Sequence, residues 1–146
     1  MIKYHSETTI HRPVDQVFRL ATDVEKYSQW TDMGESRLIS EGPLGVGSKM
    51  ETVIQKGPLK LNMTFEITDY EVNRRVSYRS SSAGPLQWDA SFVFEPKDVS
   101  TTHVISSGEV RLQGLWKLAE PLMAGEVKSG EAKELIRLKG LLETHT

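Results

Sequence analysis

The first ten residues alternate. Ile2, Tyr4, Ser6, Thr8 and Ile10 fall on one face and Lys3, His5, Glu7 and Thr9 on the other, which is strand periodicity with a polar outer face. Pro13 stands where a first helical turn begins, and Val14, Val17, Phe18 and Ala21 follow at i, i+3, i+4, i+7, one apolar helix stripe. Asp23 is placed to cap a second short helix carrying Val24, Tyr27 and Trp30 inward. From residue 33 to 113 the period is two again, and strands are expected near 35–41, 48–56, 59–71, 74–82, 86–96 and 102–113. Gly42-Pro43, Gly57-Pro58, Asn73, Gly84-Pro85 and Lys97-Asp98 punctuate them. The alternation is cleanest where Leu61, Met63, Phe65 and Ile67 oppose Asn62, Thr64, Glu66 and Thr68, and where Trp88, Ala90, Phe92 and Phe94 oppose Gln87, Asp89 and Ser91. Such strands are antiparallel with one dry face.

Helical spacing returns over 115–143, in two stripes turned around the axis from one another. Leu115, Leu118, Ala119 and Leu122 form the first; Val127, Leu135, Leu138 and Leu142 form the second. Pro121, Gly125 and Gly130 lie near the change, so a kink or short break is expected near 119–125. The order is strand, two helices, six strands, long helix. A sheet of that length curls, and the long helix needs its concave side. The chain reads as one domain over 1–146, without repeats or linkers.

Composition adds mainly exclusions. With 18 basic and 20 acidic residues the net charge is −2, so nothing points to a nucleic-acid partner. The absence of cysteine removes disulfides, thiolate metal sites and cysteine nucleophiles. No run approaches the ~18 apolar residues of a membrane helix, and the first residues lack the apolar core of a secretory signal. A cytoplasmic setting and no integral membrane segment are the expectations; the oligomeric state is not legible.

The stretch GPLGVGSK, residues 42–49, has P-loop glycine spacing at Gly42 and Gly47, but Ser48 and Lys49 are in reversed order. A P-loop opens a helix whose N–H groups meet the phosphate, whereas METVIQK follows here, a strand pattern. Gly45 and Gly47 therefore shape a hairpin.

Specific residues resemble the START-like (SRPBCC, Bet v 1-like) superfamily, in its polyketide cyclase/dehydrase and lipid-transport branch. They are Ile10, Pro13, Val17-Phe18, Asp23 and Trp30 in the opening, Gly45 and Gly47 in the hairpin, Thr102 and Val104 at a strand start, and LKGLLE at 138–143. The resemblance runs from about residue 3 to residue 143. It implies an α+β helix-grip fold: a curved seven-stranded antiparallel sheet wrapped around a long C-terminal helix, two short helices after the first strand, and a cavity between sheet and helix. It also implies a hairpin at the cavity mouth.

Candidate chemistry is sparse. His5, His11, His103 and His145 include no pair at metal-ligand spacing on one element, so no metal is expected, nor any cofactor. Ser80, Ser81, Ser82, Ser106 and Ser107 stand in no nucleophile context. Lys117, Lys128, Lys133, Arg137 and Lys139 mix with Glu120, Glu131, Glu134 and Glu143 along the last helix, the pattern of a solvated face. Glu126 continues the face of Leu115, Ala119 and Leu122, and is the carboxylate expected to look into the cavity. Met50, Met63, Phe65, Tyr78, Trp88, Phe92 and Met123 should converge on the concave side, Phe65 and Phe92 as plain core packing and the others as ligand lining with Leu122 and Glu126, and Thr52 and Ser106 offer hydrogen bonds to a bound polar group. The partner implied is a small hydrophobic molecule such as a lipid, isoprenoid or polyketide, either simply bound or also transported. One alternative is a polyketide cyclase or dehydrase using Glu126 and Tyr78 as acid/base groups. Another is a protein-interaction or stress-regulator module, which an exposed apolar patch would favour.

Overall fold

A computed structural model describes residues 1–31, 33–56, 59–81 and 86–144; of residues 33, 55, 56 and 59 only the backbone is described. Seven antiparallel strands form one sheet: β1 (Ile2–Ile10), β2 (Met33–Leu38), β3 (Lys49–Lys56), β4 (Leu59–Glu71), β5 (Arg75–Ser80), β6 (Leu86–Asp98) and β7 (Thr101–Leu112). Their spatial order is β1-β7-β6-β5-β4-β3-β2. Consecutive strands from β2 to β7 pair as hairpins, and β1 closes against β7. The chain crosses from one edge to the other through α1 (Val14–Ala21) and a 3₁₀ helix, Val24–Gln29. The chain then leaves β7 through a 3₁₀ turn, Gly114–Ala119, into α2 (Glu120–Thr144).

This is the expected helix-grip architecture, with one expected turn shifted. The expected turn at Lys97-Asp98 is still strand, because a register shift after Pro96 lets β6 run on to Asp98, and Val99-Ser100 make the turn. The expected turns at Gly57-Pro58 and Gly84-Pro85 lie outside the described residues, as do Ser82 and His145. The 42–49 stretch is a hairpin: Gly47 has φ 93°, its N–H donates to the Ile67 carbonyl (2.8 Å), and β3 starts at Lys49. Gly42 (φ 89°) also occupies the left-handed region where glycine is favoured.

The last helix corrects the expected pattern. Its winding changes at 119/120, and α2 is continuous through Pro121, Gly125 and Gly130. Pro121 sits in the first turn, where its missing N–H has no intrahelical partner to lose. Leu115, Leu118 and Leu122 do not face the sheet; Leu122 is 83% exposed. The second stripe orients the helix: Leu135, Leu138 and Leu142 take the sheet, and Leu122 lies on roughly the opposite side of α2. In α2 the buried face runs through Val127, Glu131, Leu135, Leu138 and Leu142 at steps of four, four, three and four.

Two apolar clusters fill the concave side. The larger joins Ile10, Phe18, Tyr27, Trp30, Ile67, Val76, Phe94 and Val104 to Leu135 and Leu138 of α2. The smaller holds Ile2, Tyr4, Leu86, Val110 and Leu112, with Ala119, Met123 and Val127 packed on it. Met63 and Trp88 touch both.

The Met1 amino group pairs with Glu120 at the start of α2, and further polar contacts gather at the C-terminal half of the helix. Glu143 accepts from the His11 backbone N–H (2.9 Å) and pairs with Lys139 (3.1 Å). Lys139 also donates to the Thr9 carbonyl, Arg12 to the Glu143 carbonyl (3.1 Å) and Arg137 to the Trp30 carbonyl (3.1 Å).

Packing and charge each give a test. A Cβ on Gly108 would run into the Tyr4 hydroxyl and the Asp89 carbonyl, and the backbone atom cannot swing away. Gly108→Ala should therefore cost about 1–3 kcal/mol in urea unfolding, as overpacking does, while Gly125→Ala, in the α2 interior with open space around it, should gain roughly 0.5–1 kcal/mol. The His11 backbone N–H, aided by Lys139 and the His11 ring, holds the Glu143 carboxyl at about 2, below its ordinary 4.5. The favoured form is the anion, so its stabilisation is complete above about 4.5 and fades as the pH falls toward 2. Thermal melts between pH 5 and 2 should show Glu143→Gln losing less stability than the wild type.

Candidate functional site

Under α2 lies a cavity of about 40 Å³, lined by Tyr4, Ala21, Tyr27, Trp30, Thr31, Met50, Phe65, Tyr78, Trp88, Ala90, Phe92, Glu131 and Glu134. At ~10–15 Å³ per water it has room for about three. Strand alternation supplies most of the wall: Met50 of β3, Phe65 of β4, Tyr78 of β5 and Trp88, Ala90 and Phe92 of β6 all point to the concave face.

Four rings close a cycle. Trp30 meets Tyr27 at 6.0 Å between centroids, Tyr27 meets Tyr78 at 6.3 Å, Tyr78 meets Phe92 at 6.5 Å, and Phe92 returns to Trp30 at 5.7 Å. All four contacts are edge-to-face, the arrangement that ring quadrupoles favour. Trp88 adds two more, to Tyr4 (6.4 Å) and Phe65 (6.3 Å).

Polar atoms sit among these rings. The Trp88 indole N–H donates to the Tyr4 hydroxyl (2.9 Å), and Tyr27 and Tyr78 share a hydrogen bond between their hydroxyls. Burial pushes all three phenols up, with the Glu131 charge adding to the effect at Tyr4. They stay protonated at neutral pH. Trp30 is 1% exposed, and its Nε1 meets no hydrogen-bond partner among the described residues.

Glu131 and Glu134 are the unexpected members. They are 4% and 6% exposed and line the cavity, not the solvated helix face on which their charge pattern placed them. The signal was available: stepping back by four from Leu135 and Leu138 lands on Glu131 and Glu134. Mixed charge along the helix concealed it.

The expected lining residues divide three ways. Met50, Tyr78 and Trp88 line the cavity. Thr52 and Met63 instead line a groove of about 660 Å³ beside it, with Glu25 and Ser28 of the 3₁₀ helix and residues of β2 to β4. Thr52 is two residues from Met50 on one face of β3, and Met63 two from Phe65 on β4, so the groove continues the cavity wall. The Thr52 hydroxyl is engaged by Ser36 (2.7 Å). Ser106 is buried on the concave face but is not among the cavity-lining residues, and Met123 packs on the smaller cluster. Leu122 and Glu126 are corrected outright: both are exposed, because Leu135 and Leu138 orient α2 and these two residues lie on roughly the opposite side of the same helix. Glu126 is thereby removed as the inward-looking acid.

The other candidates stay at the periphery. His103 stands on the outer face between Thr9 (3.1 Å) and Glu7 (2.7 Å). The described residues contain no cluster of three or more side chains able to hold a metal, and no described helix is long and apolar enough to cross a membrane. Leu115, Trp116, Leu118 and Leu122 form an exposed apolar stretch at the α2 N-terminal end, where the sequence pattern alone turns the leucines inward.

The family model described as polyketide cyclase/dehydrase and lipid transport matches residues 1–143, and the chain belongs to that family. Its members typically bind small hydrophobic molecules. Among solved structures the chain is similar to TTHA0849 from Thermus thermophilus (17% identity, 99% of each chain, TM-score 0.82). It is similar to the Zhui aromatase/cyclase from Streptomyces sp. R1128 (15% identity, 97% of this chain and 93% of that one, TM-score 0.79). A START superfamily protein from Mycobacterium smegmatis also matches (17% identity, 99% of each chain, TM-score 0.73). At these identities the likeness is one of fold. No curated protein matches the sequence.

The tyrosine pair gives a direct test. Tyr27→Phe or Tyr78→Phe leaves the other hydroxyl buried without this partner, at a cost of roughly 1–3 kcal/mol each. The double change removes both polar groups and should cost clearly less than the two singles combined, measured by denaturant unfolding of all four proteins.

Proposed function

We propose that the protein binds a small, mainly hydrophobic molecule with at least one polar group in the cavity beneath α2. The observation that carries this reading is the cavity wall itself: closed on aromatic rings and Met50, yet supplied with carboxyl groups and an indole N–H that meets no acceptor among the described residues. A binding site needs a few such groups to orient its ligand.

At about 40 Å³ the cavity is closed around no more than a small head group. Larger ligands require α2 to lift. The polar contacts to β1 and the segment after it hold its C-terminal half, while Leu115, Leu118 and Leu122 hold nothing in the sheet. The N-terminal half is held more lightly, by the Met1–Glu120 pair and by Ala119, Met123 and Val127 on the smaller cluster, so it is the part of α2 that lifts in this reading.

A second reading, catalysis, gains from the two carboxylates. A buried carboxylate beside a phenol can remove a proton next to a carbonyl while the phenol steadies the oxygen. Glu131 or Glu134 with Tyr4 would take these roles, in place of Glu126. The exposed stretch at Leu115–Leu122 is the feature that an interaction module would need, but it leaves the cavity unexplained.

Native mass spectrometry after gentle purification should show a reproducible bound molecule, or the apo protein should gain melting temperature with 1-octanol. Ala90→Leu, which fills the cavity, should keep the fold and abolish either effect. Binding unchanged by Ala90→Leu would place the ligand elsewhere. Deuterium exchange next to the carbonyl of a bound ketone, lost in Glu131→Gln or Glu134→Gln, would move catalysis to the front; binding without exchange would leave the protein a carrier.

A further inference from the structure

The wall of this cavity also specifies the charge of what it takes. Two carboxyl groups one helical turn apart, both nearly removed from solvent, line it together with a closed cycle of four aromatic rings. Ring faces carry negative potential and attract cations, most strongly where water is excluded. The same faces and carboxylates repel a carboxylate or phosphate head. A neutral alcohol or ketone gains little from either feature.

Resting on the reading that the cavity is a ligand site, we propose that it selects a small organic cation, an amine or quaternary ammonium group on a hydrophobic body. The cation sits between the Tyr27–Trp30–Tyr78–Phe92 rings and the Glu131 and Glu134 carboxylates. A carboxylate offers about four lone-pair positions, so the ligand adds to whatever contacts each glutamate already makes. The indole N–H of Trp30 accommodates an oxygen on the same molecule, as in an amino alcohol.

The neighbouring surface has the same sign. The groove beside the cavity, past Thr52 and Met63, is lined by Glu25, Glu35 and Glu51 against a single guanidinium, Arg37, which Glu51 already holds at 2.7 Å. A net negative surface beside the site concentrates cations near it. Arg137, on α2 beside these turns, donates to the Trp30 carbonyl and is not among the cavity-lining residues.

The test uses three probes with one chain and three heads: octylammonium, 1-octanol and octanoate, titrated by calorimetry into the full-length protein near pH 7. The expected order is ammonium, then alcohol, then carboxylate, with the ammonium bound roughly tenfold or more tighter than the alcohol, the scale of a desolvated cation–π contact. Glu131→Gln and Glu134→Gln should each narrow that gap by weakening octylammonium more than octanol. The ranking on the unaltered protein decides even where a variant folds poorly. Octanol equal to or tighter than octylammonium, or octanoate tightest, overturns the inference and leaves the ligand-binding reading intact. Binding of none of the three overturns both.

Discussion

The attachment of the C-terminal half of α2 to the first strand is the constraint from which the site follows. Leu135 and Leu138 are almost fully buried against the concave sheet, and Lys139 and Glu143 tie the same turns to Thr9 and His11. Once those turns are fixed, helical geometry leaves no choice about the turn before them. Residues 131 and 134 must face the sheet, and in this chain both are glutamate. The carboxylates are therefore suspended over the cavity by apolar packing elsewhere in the helix. Taking carboxylates out of water costs stability that their partners offset only in part. In the proposed reading, their presence at core positions serves the cavity.

The sheet contributes the complementary half. Its alternation places one ring after another on the concave face, and neighbouring strands bring Tyr78 and Phe92 together while the 3₁₀ helix brings Tyr27 and Trp30 across to meet them. The crossing from β1 to β2 thus joins the two edges of the sheet and also completes the ring cycle.

Much of this was legible in the sequence, for a physical reason. Strands with one dry face announce themselves by alternation, and all seven were found within a few residues of their ends. Pro13, Asp23 and Trp30 marked the two short helices. The site was less legible. Met50, Tyr78 and Trp88 were found because strand alternation fixes their direction. Leu122 and Glu126 are hard to place because two apolar stripes compete for one concave sheet, and the pattern alone does not say that Leu135, Leu138 and Leu142 take it. Glu131 and Glu134 were missed because charge was read as exposure. The apolar stripe around them, read as geometry alone, would have placed them inside.

Hydrogen exchange along α2 tests this account most directly. If the helix is held more firmly at its C-terminal end than at its N-terminal end, amides from about Glu131 to Leu142 should exchange near the rate of global unfolding, and those from Leu115 to about Ala124 should exchange far faster. Uniform protection from Leu115 to Leu142 would contradict it: the helix would be a fixed strut, the cavity permanently closed, and the two glutamates a feature of the core alone.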